Sequence, residues 1–292
     1  MIDKYISEVY WESSANAYYQ GSQISSSSKR NITFRNPLME PGATIIKWNS
    51  TTYYQAEKQV PSLPLLQANH RYQLITKATS NPGSTLLTRI EFFNVQGDQI
   101  KKYEFSGQRR QFVYPVGAFS YQISLVNMGA ESLKFDRLMI ASSHFPKDSF
   151  TDIWFQPVQK VSRRHELTML LVQEGVHCRV EYDSPLLGQV NHQVVSFAWQ
   201  NKGNLMNEFS KKLEDYQQEK VHLVSTDPSL DEVVMNTCAK YSNVDGLVTD
   251  QTNQSGLPTY HLQPVADWVC PELSDPDWAI IGKAVNEYLK GE

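Results

Sequence analysis

His261 and Asp267 stand shortly before the last helix-patterned segment, and a histidine held by a carboxylate is what general-base catalysis requires. Ser225-Thr226-Asp227 and Thr249-Asp250 each follow a strand-like run. In open α/β sheets ligands bind outside the carboxyl ends of strands, so these polar residues could line a pocket. The competing reading for Asp227 is a helix cap, because Pro228 follows it at what would be the first helical position, and that reading is the stronger one. His165-Glu166 and His177-Cys178 have the side-chain types of metal ligands. Adjacent residues of a strand point to opposite faces, so neither pair converges on one ion.

The standard catalytic motifs are missing. The chain has no G-x-x-x-x-G-K-S/T phosphate loop, no G-x-G-x-x-G, no G-x-S-x-G, no H-E-x-x-H and no paired C-x-x-C. Esterases of the flavodoxin-like serine class often carry an acid and a histidine near the last helix. Here their Gly-Asp-Ser nucleophile block is missing and the acid follows the histidine. A diverged esterase or transferase with His261 as general base is the alternative reading; the leading one assigns no catalytic residue, no metal and no cofactor.

A different chemistry is carried by aromatics in the first half. Trp11, Tyr18, Trp48, Tyr53 and Tyr54 are the candidates for a glycan-contacting or partner-contacting surface. Flat rings stack on sugar C–H faces, and Tyr and Trp are also enriched in protein interfaces. Core packing competes with both uses for each ring.

These residues need elements to hold them, and the pattern changes along the chain. Up to about residue 145, short strand-like runs follow one another between turn signals such as Glu40-Pro41-Gly42, Asn81-Pro82-Gly83 and Gln96-Gly97-Asp98. The runs are Ile32–Arg35, Thr44–Trp48, Thr51–Glu57, Arg71–Ala78, Thr85–Val95, Gln99–Phe105 and Gln111–Tyr114, while Ser25–Ser28 reads as a flexible loop. The closing pair is the most informative: Phe119, Tyr121, Ile123 and Leu125 alternate with polar residues, and Asn127-Met128-Gly129 turns the chain. Leu133 and Phe135 restart the alternation, and Leu138 and Ile140 resume it one step out of phase. That slip predicts a bulge at Asp136-Arg137. The expected fold is an N-terminal all-β sandwich of jelly-roll type, residues 1–145.

From residue 146 to 292 strands and helices alternate, which predicts an α/β layered domain with a partly parallel sheet. Leu205, Phe209, Leu213 and Tyr216 follow helical spacing, as do Leu230, Val234 and Cys238, and Trp278, Ile281, Val285 and Leu289. Asp275-Pro276 repeats the cap device of Asp227-Pro228.

Composition narrows the function. Of 292 residues 40% are hydrophobic and 20% charged, with net charge -4, which suits a folded chain without the broad basic surface of a nucleic-acid binder. No apolar run reaches the roughly eighteen residues of a membrane span. The first residues, MIDKYISEVYWESS, lack a basic stretch followed by an apolar core, so the expectation is no signal peptide. Cys178, Cys238 and Cys270 form an odd set, which suits reduced thiols in the cytosol.

The order of several short segments is similar to a known family. Tyr10-Trp11, Ser13-Ser14-Ala15-Asn16-Ala17-Tyr18, Gly21-Ser22-Gln23-Ile24, Pro61-Ser62-Leu63-Pro64-Leu65-Leu66, Arg89-Ile90-Glu91-Phe92-Phe93 with Gly97, and Phe119-Ser120-Tyr121 followed by Val126-Asn127 resemble the third subunit of the Asp complex of the accessory Sec system. The resemblance spans residues 7–141. It implies a carbohydrate-binding-module-like fold and a non-catalytic subunit that assists export of serine-rich-repeat glycoprotein adhesins. The implied partners are the other two Asp subunits, a dedicated ATPase motor and the glycosylated adhesin. The implied location is cytoplasmic, peripheral to the membrane-bound export machinery. The second half has no place in that resemblance; a degenerate enzyme-like or docking domain is the reading for it.

Overall fold

A computed structural model of the chain describes residues 4–12, 17–52, 60–161, 166–182, 190–198, 202–216, 219–250, 256–262 and 276–290. They divide into two compact units, Met1–Phe145 and Pro146–Glu292.

The first unit is organised around its last strand. Strands β1 (Tyr5–Val9), β2 (Gln23–Ser28), β3 (Asn31–Arg35), β5 (Arg71–Asn81), β8 (Arg109–Val113) and β10 (Ser132–Ser142) form one antiparallel sheet. Strands β4 (Thr44–Asn49), β6 (Leu86–Phe93), β7 (Gln99–Ser106) and β9 (Ser120–Asn127) form a second, in the order β4-β9-β6-β7. On one side β10 pairs with β5 along its whole length. On the other side it pairs with β3 from Ser132 to Phe135 and with β1 from Leu138 to Ala141.

The phase slip read from the sequence is a real bulge: the β10–β5 register steps from Phe135↔Ala78 to Arg137↔Lys77 and leaves Asp136 unmatched. It lies where β3 gives way to β1. Leu133, Phe135, Leu138 and Ile140 all enter the shared core despite the broken alternation. Asp136 takes Arg30, from the β2–β3 turn, in a two-pronged pair at 2.8 and 3.2 Å. Arg137 is fully buried and pairs with Glu8 of β1 at 3.2 Å. Burying two charges is tolerable only when they meet, and here the pair also ties β1 to the spine.

The two sheets close over one core, in which Ile32, Phe34, Tyr72, Leu74 and Phe112 face Trp48, Ile90, Phe92, Tyr121, Ile123 and Leu125. Thr88, Ile90 and Phe92 are buried while Arg89 and Glu91 are half-exposed, the expected division of β6. The turn before β10 rests on Asn127, whose side-chain Oδ1 accepts from the amides of Gly129 and Ala130 at 3.0 and 2.6 Å. Gly129 has φ 107°, a left-handed conformation that glycine adopts without strain.

Two sequence readings need correction here. Ser25–Ser28 belong to strand β2: Ile24 packs on the core, and the strand pairs with β3 from Gln23 to Ser28. Serine at an exposed edge is compatible with either state, and the pairing decides. Phe119, placed by its alternation on the buried face of β9, precedes that strand and is exposed. The run Thr51–Glu57 lies largely outside the described residues.

In the second unit strands β11 (Ile153–Phe155), β14 (His192–Phe197), β12 (Glu166–Gln173), β15 (Lys220–Ser225), β16 (Val244–Thr249) and β17 (Thr259–Tyr260) neighbour one another in that order. The β12–β14, β12–β15, β15–β16 and β16–β17 pairs are parallel, and β11–β14 is antiparallel. A further short strand, β13, spans Cys178–Val180. Helices α1 (Lys202–Leu213) and α2 (Asp231–Lys240) pack on one face with Leu167, Met169 and Leu171; α3 (Trp278–Lys290) packs on the other with Leu170 and Val172. Burial on both faces explains why β12 reads as a largely apolar run, Leu167 to Val172 broken only by Thr168. Asp227 caps the turn leading into α2, accepting from the Ser229 amide at 2.8 Å. Asp275 lies outside the described residues; Asp277 accepts from the amides of Ala279 and Ile280 at the start of α3.

Helix α2 sits directly on Gly246 of β16. A methyl group there would collide with Val234 Cγ1 and stand 3.0 Å from Cys238 Sγ and 3.3 Å from the Leu223 carbonyl. Gly246→Ala is therefore expected to destabilise the second unit by about 1–3 kcal/mol, the usual range for overpacking, read as a lower denaturation midpoint.

At the amino ends of the parallel strands His222 is buried against Asp245, Nδ1 to Oδ1 at 2.6 Å, and Lys220 lies 3.3 Å from the other carboxylate oxygen. Burial pushes the Asp245 carboxyl up; hydrogen bonds from His222, Tyr288 and Lys220 and the charge of His222 outweigh it and hold it at about 2, against an ordinary 3.8. A lowered native value means the unfolded chain binds the proton more readily, so this contribution is complete above about pH 4 and disappears as pH falls through about 2. Acid titration of unfolding should show Asp245→Asn losing less stability than the parent chain across that interval; parallel curves would contradict it.

Candidate functional site

Trp11 and Trp48 are core residues. Phe135 lies between them, 5.8 Å from Trp11 edge-on and 5.4 Å from Trp48 in a stack, and the Trp48 indole donates to the Tyr10 carbonyl at 2.9 Å. Both are almost fully buried, so neither ring offers a free face to a ligand. Tyr18 is half-buried, with its amide bonded to the Ile45 carbonyl at 2.9 Å. Tyr53 and Tyr54 lie outside the described residues. The aromatic surface read from the sequence is therefore not assembled by its described members.

The first unit instead has a cleft of about 510 Å³ that no single sequence segment announces. It opens where strands change sheets: β5 leads into β6 around Gly83-Ser84, and β7 into β8 around Gly107-Gln108. Thr76, Thr79, Ser80, Ser84, Thr88 and Ser106 line it with hydroxyls, joined by Gln108 and Arg110. The Thr76 and Thr88 hydroxyls meet across the two sheets at 3.2 Å. Arg110 braces the hairpin by donating to the carbonyls of Ser106 and Arg109 at 2.9 and 3.3 Å. The lining contains no aromatic ring and offers hydrogen-bonding side chains. A size of roughly 300–1,000 Å³ is typical of small-molecule sites.

In the second unit the polar residues at the carboxyl ends of the strands are largely committed to one another. The Ser225 hydroxyl donates to the Asp227 carbonyl at 2.7 Å and that of Thr226 to the Leu171 carbonyl at 2.8 Å. Thr249 donates from its hydroxyl and its amide to the Asp231 carboxylate, at 2.6 and 3.1 Å. His261 is exposed and its Nδ1 is hydrogen-bonded to Asp250; Asp267 lies outside the described residues. That bond holds the Asp250 carboxyl below the usual carboxylate range. Among the described residues His261 has no serine or cysteine as a hydrogen-bond partner. Also among the described residues, no group of three His, Cys, Asp or Glu side chains could hold a metal ion. Cys238 is a free thiol, and burial pushes its pKa up to about 11, unfavourable for a reactive thiolate.

The family match falls within the first unit, whereas one structural match extends into the second. A family profile described as Accessory Sec secretory system ASP3 matches residues 17–142, all within the first unit. Two solved structures are similar. One, the Glycosylation Associate Protein (Gap123) complex from Streptococcus agalactiae, matches with a TM-score of 0.55 and 25% identity over 84% of this chain and 78% of that one. The other, accessory secretory protein 1,2 and 3 in Streptococcus pneumoniae, matches with a TM-score of 0.45 and 30% identity over 47% of this chain and 95% of that one. The accessory Sec system protein Asp3 of Streptococcus gordonii is 33% identical over 143 residues, 46% of this chain and 90% of that relative. Identity of that level across nearly the whole of a relative shows that the chain belongs to the accessory Sec system Asp3 family.

Proposed function

We propose that this chain is a non-catalytic subunit of the accessory Sec export complex and assists glycosylation-coupled secretion of serine-rich-repeat adhesins. Family membership carries the reading: the residues shared with Asp3 relatives build the first unit, and the Streptococcus agalactiae neighbour is a complex. In this reading the first unit is a jelly roll of the carbohydrate-binding-module kind that holds the other two Asp subunits. The assembly meets the ATPase motor and the adhesin on the cytoplasmic side, peripheral to the membrane-bound machinery. The second unit, residues 146–292, is a degenerate enzyme-like domain used for docking. The committed hydroxyls of Ser225, Thr226 and Thr249 favour docking over the esterase or transferase alternative.

A second reading, direct glycan contact, is favoured by the hydroxyl-lined cleft, whose Thr, Ser and Gln side chains match the hydrogen-bonding groups of a sugar. It moves the contact away from Trp11 and Trp48, whose faces are covered.

Affinity purification of the tagged full chain from its native host, with quantitative identification of bound proteins, is expected to recover both companion Asp subunits in a stable ratio. Recovery of the chain alone would overturn the assignment. For the glycan reading, purified chain should retain glycosylated adhesin over unglycosylated adhesin, and Ser84→Ala with Gln108→Ala should weaken retention roughly threefold to tenfold, the worth of one or two hydrogen bonds. Equal retention of both adhesin forms would remove sugar recognition and leave the subunit assignment standing.

A further inference from the structure

The end of the first unit away from the cleft carries a cluster of large apolar side chains on turns. Leu65 is 79% exposed, Val95 72%, Val116 76% and Phe119 62%. Hydrogen bonds bring their turns together. The Phe119 amide donates to the Phe93 carbonyl at 2.8 Å, which sets the 115–119 turn beside the 94–98 turn that follows β6. The Tyr121 hydroxyl donates to the Pro64 carbonyl at 2.7 Å, which sets the 60–66 segment against the start of β9. Val60, 72% exposed, lies on that same segment.

Folding does not require these side chains. Each turn has its own internal bond, Gly97 to Asn94 at 3.1 Å and Ala118 to Pro115 at 3.3 Å, and a polar residue at Val95 or Val116 would leave those bonds intact. Single exposed hydrophobics are ordinary, whereas several gathered at one end mark an interaction site. The 60–66 segment and the 115–119 turn contain no charged residue, and the 94–98 turn contains only Asp98. An anionic lipid surface would call for lysine or arginine among these tips. An uncharged apolar centre edged by polar groups such as Ser62, Gln96 and Asp98 is instead the make-up of a protein interface.

We propose that this apolar turn cluster, centred on Leu65, Val95, Val116 and Phe119, is the surface through which the chain docks a companion Asp subunit, a folded protein partner presenting apolar pockets to these convex side chains. The inference rests on the subunit assignment above; the similar chain of the Streptococcus agalactiae assembly supports a protein occupant.

The test uses the full chain and the two companion subunits purified together, with binding measured by titration. The variant carries Leu65→Ser, Val95→Ser, Val116→Ser and Phe119→Ser; the control carries Leu38→Ser and Met128→Ser, exposed apolar residues elsewhere on the unit. Because all six side chains are exposed, both proteins should keep the parent's thermal midpoint. The expected result is at least about tenfold weaker binding for the four-site variant, as for loss of interface anchors, with the control unchanged. Parent-like affinity in the four-site variant would overturn the docking surface while leaving the subunit assignment intact. Failure of the unsubstituted chain to bind the companions would overturn both. A parent chain that dimerises alone and becomes monomeric in the variant, or that sediments with phosphatidylserine vesicles only when the cluster is intact, would assign the cluster to another occupant and overturn the proposal.

Discussion

One extra residue in β10 sets the geometry of the first unit. The strand must serve β5 along its full length on one side and two different strands, β3 and β1, in succession on the other. A regular strand would carry Phe135 and Arg137 on the same face. The bulge at Asp136 breaks that parity, so Phe135 and Leu138 both reach the core while Arg137 turns away to meet Glu8. The extra residue is an aspartate because its position leaves it facing Arg30 of the β2–β3 turn. Backbone irregularity, ion pairing and strand exchange are thus one arrangement.

How far this could be read from residues depends on whether the deciding interaction is local. The bulge was legible, because a one-residue slip in a period of two is visible along a single strand. The cap at Asp227 was legible for the same reason: aspartate followed by proline is a local device. The serine run of β2 was not, since serine side chains state no preference and the strand exists through its pairing with β3. Nor was the fate of Trp11 and Trp48. A tryptophan beside polar neighbours can face a ligand or a core, and the choice was made by Phe135, more than eighty positions from either ring. The cleft was the least legible feature. Thr76, Thr88 and Ser106 lie on three strands and converge only where the chain passes from one sheet to the other.

The second unit applies the same physics differently. Its central strands are apolar on both faces because helices cover both, which leaves chemistry only at the strand ends. At the amino ends the His222–Asp245–Lys220 group is packed as structure. At the carboxyl ends, where a ligand would enter, hydroxyls and carboxylates bond to one another and to backbone. There too the Asp250 carboxylate is bonded to His261, and the Asp250 amide donates to the Tyr260 carbonyl at 2.9 Å.

The two ends of the first unit differ in the work they can do. At one, hydroxyls from both sheets surround a cleft that rewards hydrogen-bonding groups and offers no ring to stack on. At the other, aliphatic and aromatic side chains project from uncharged turns that gain nothing from them in isolation. Strand β6 runs from one to the other, its Thr88 in the cleft and its Phe93 at the base of the apolar turns. A rigid sandwich with chemically opposite ends can engage two unlike partners without either contact competing for the same residues. The polar residues of the cleft and the apolar turns can therefore be substituted independently without disturbing the Phe135-centred core between them.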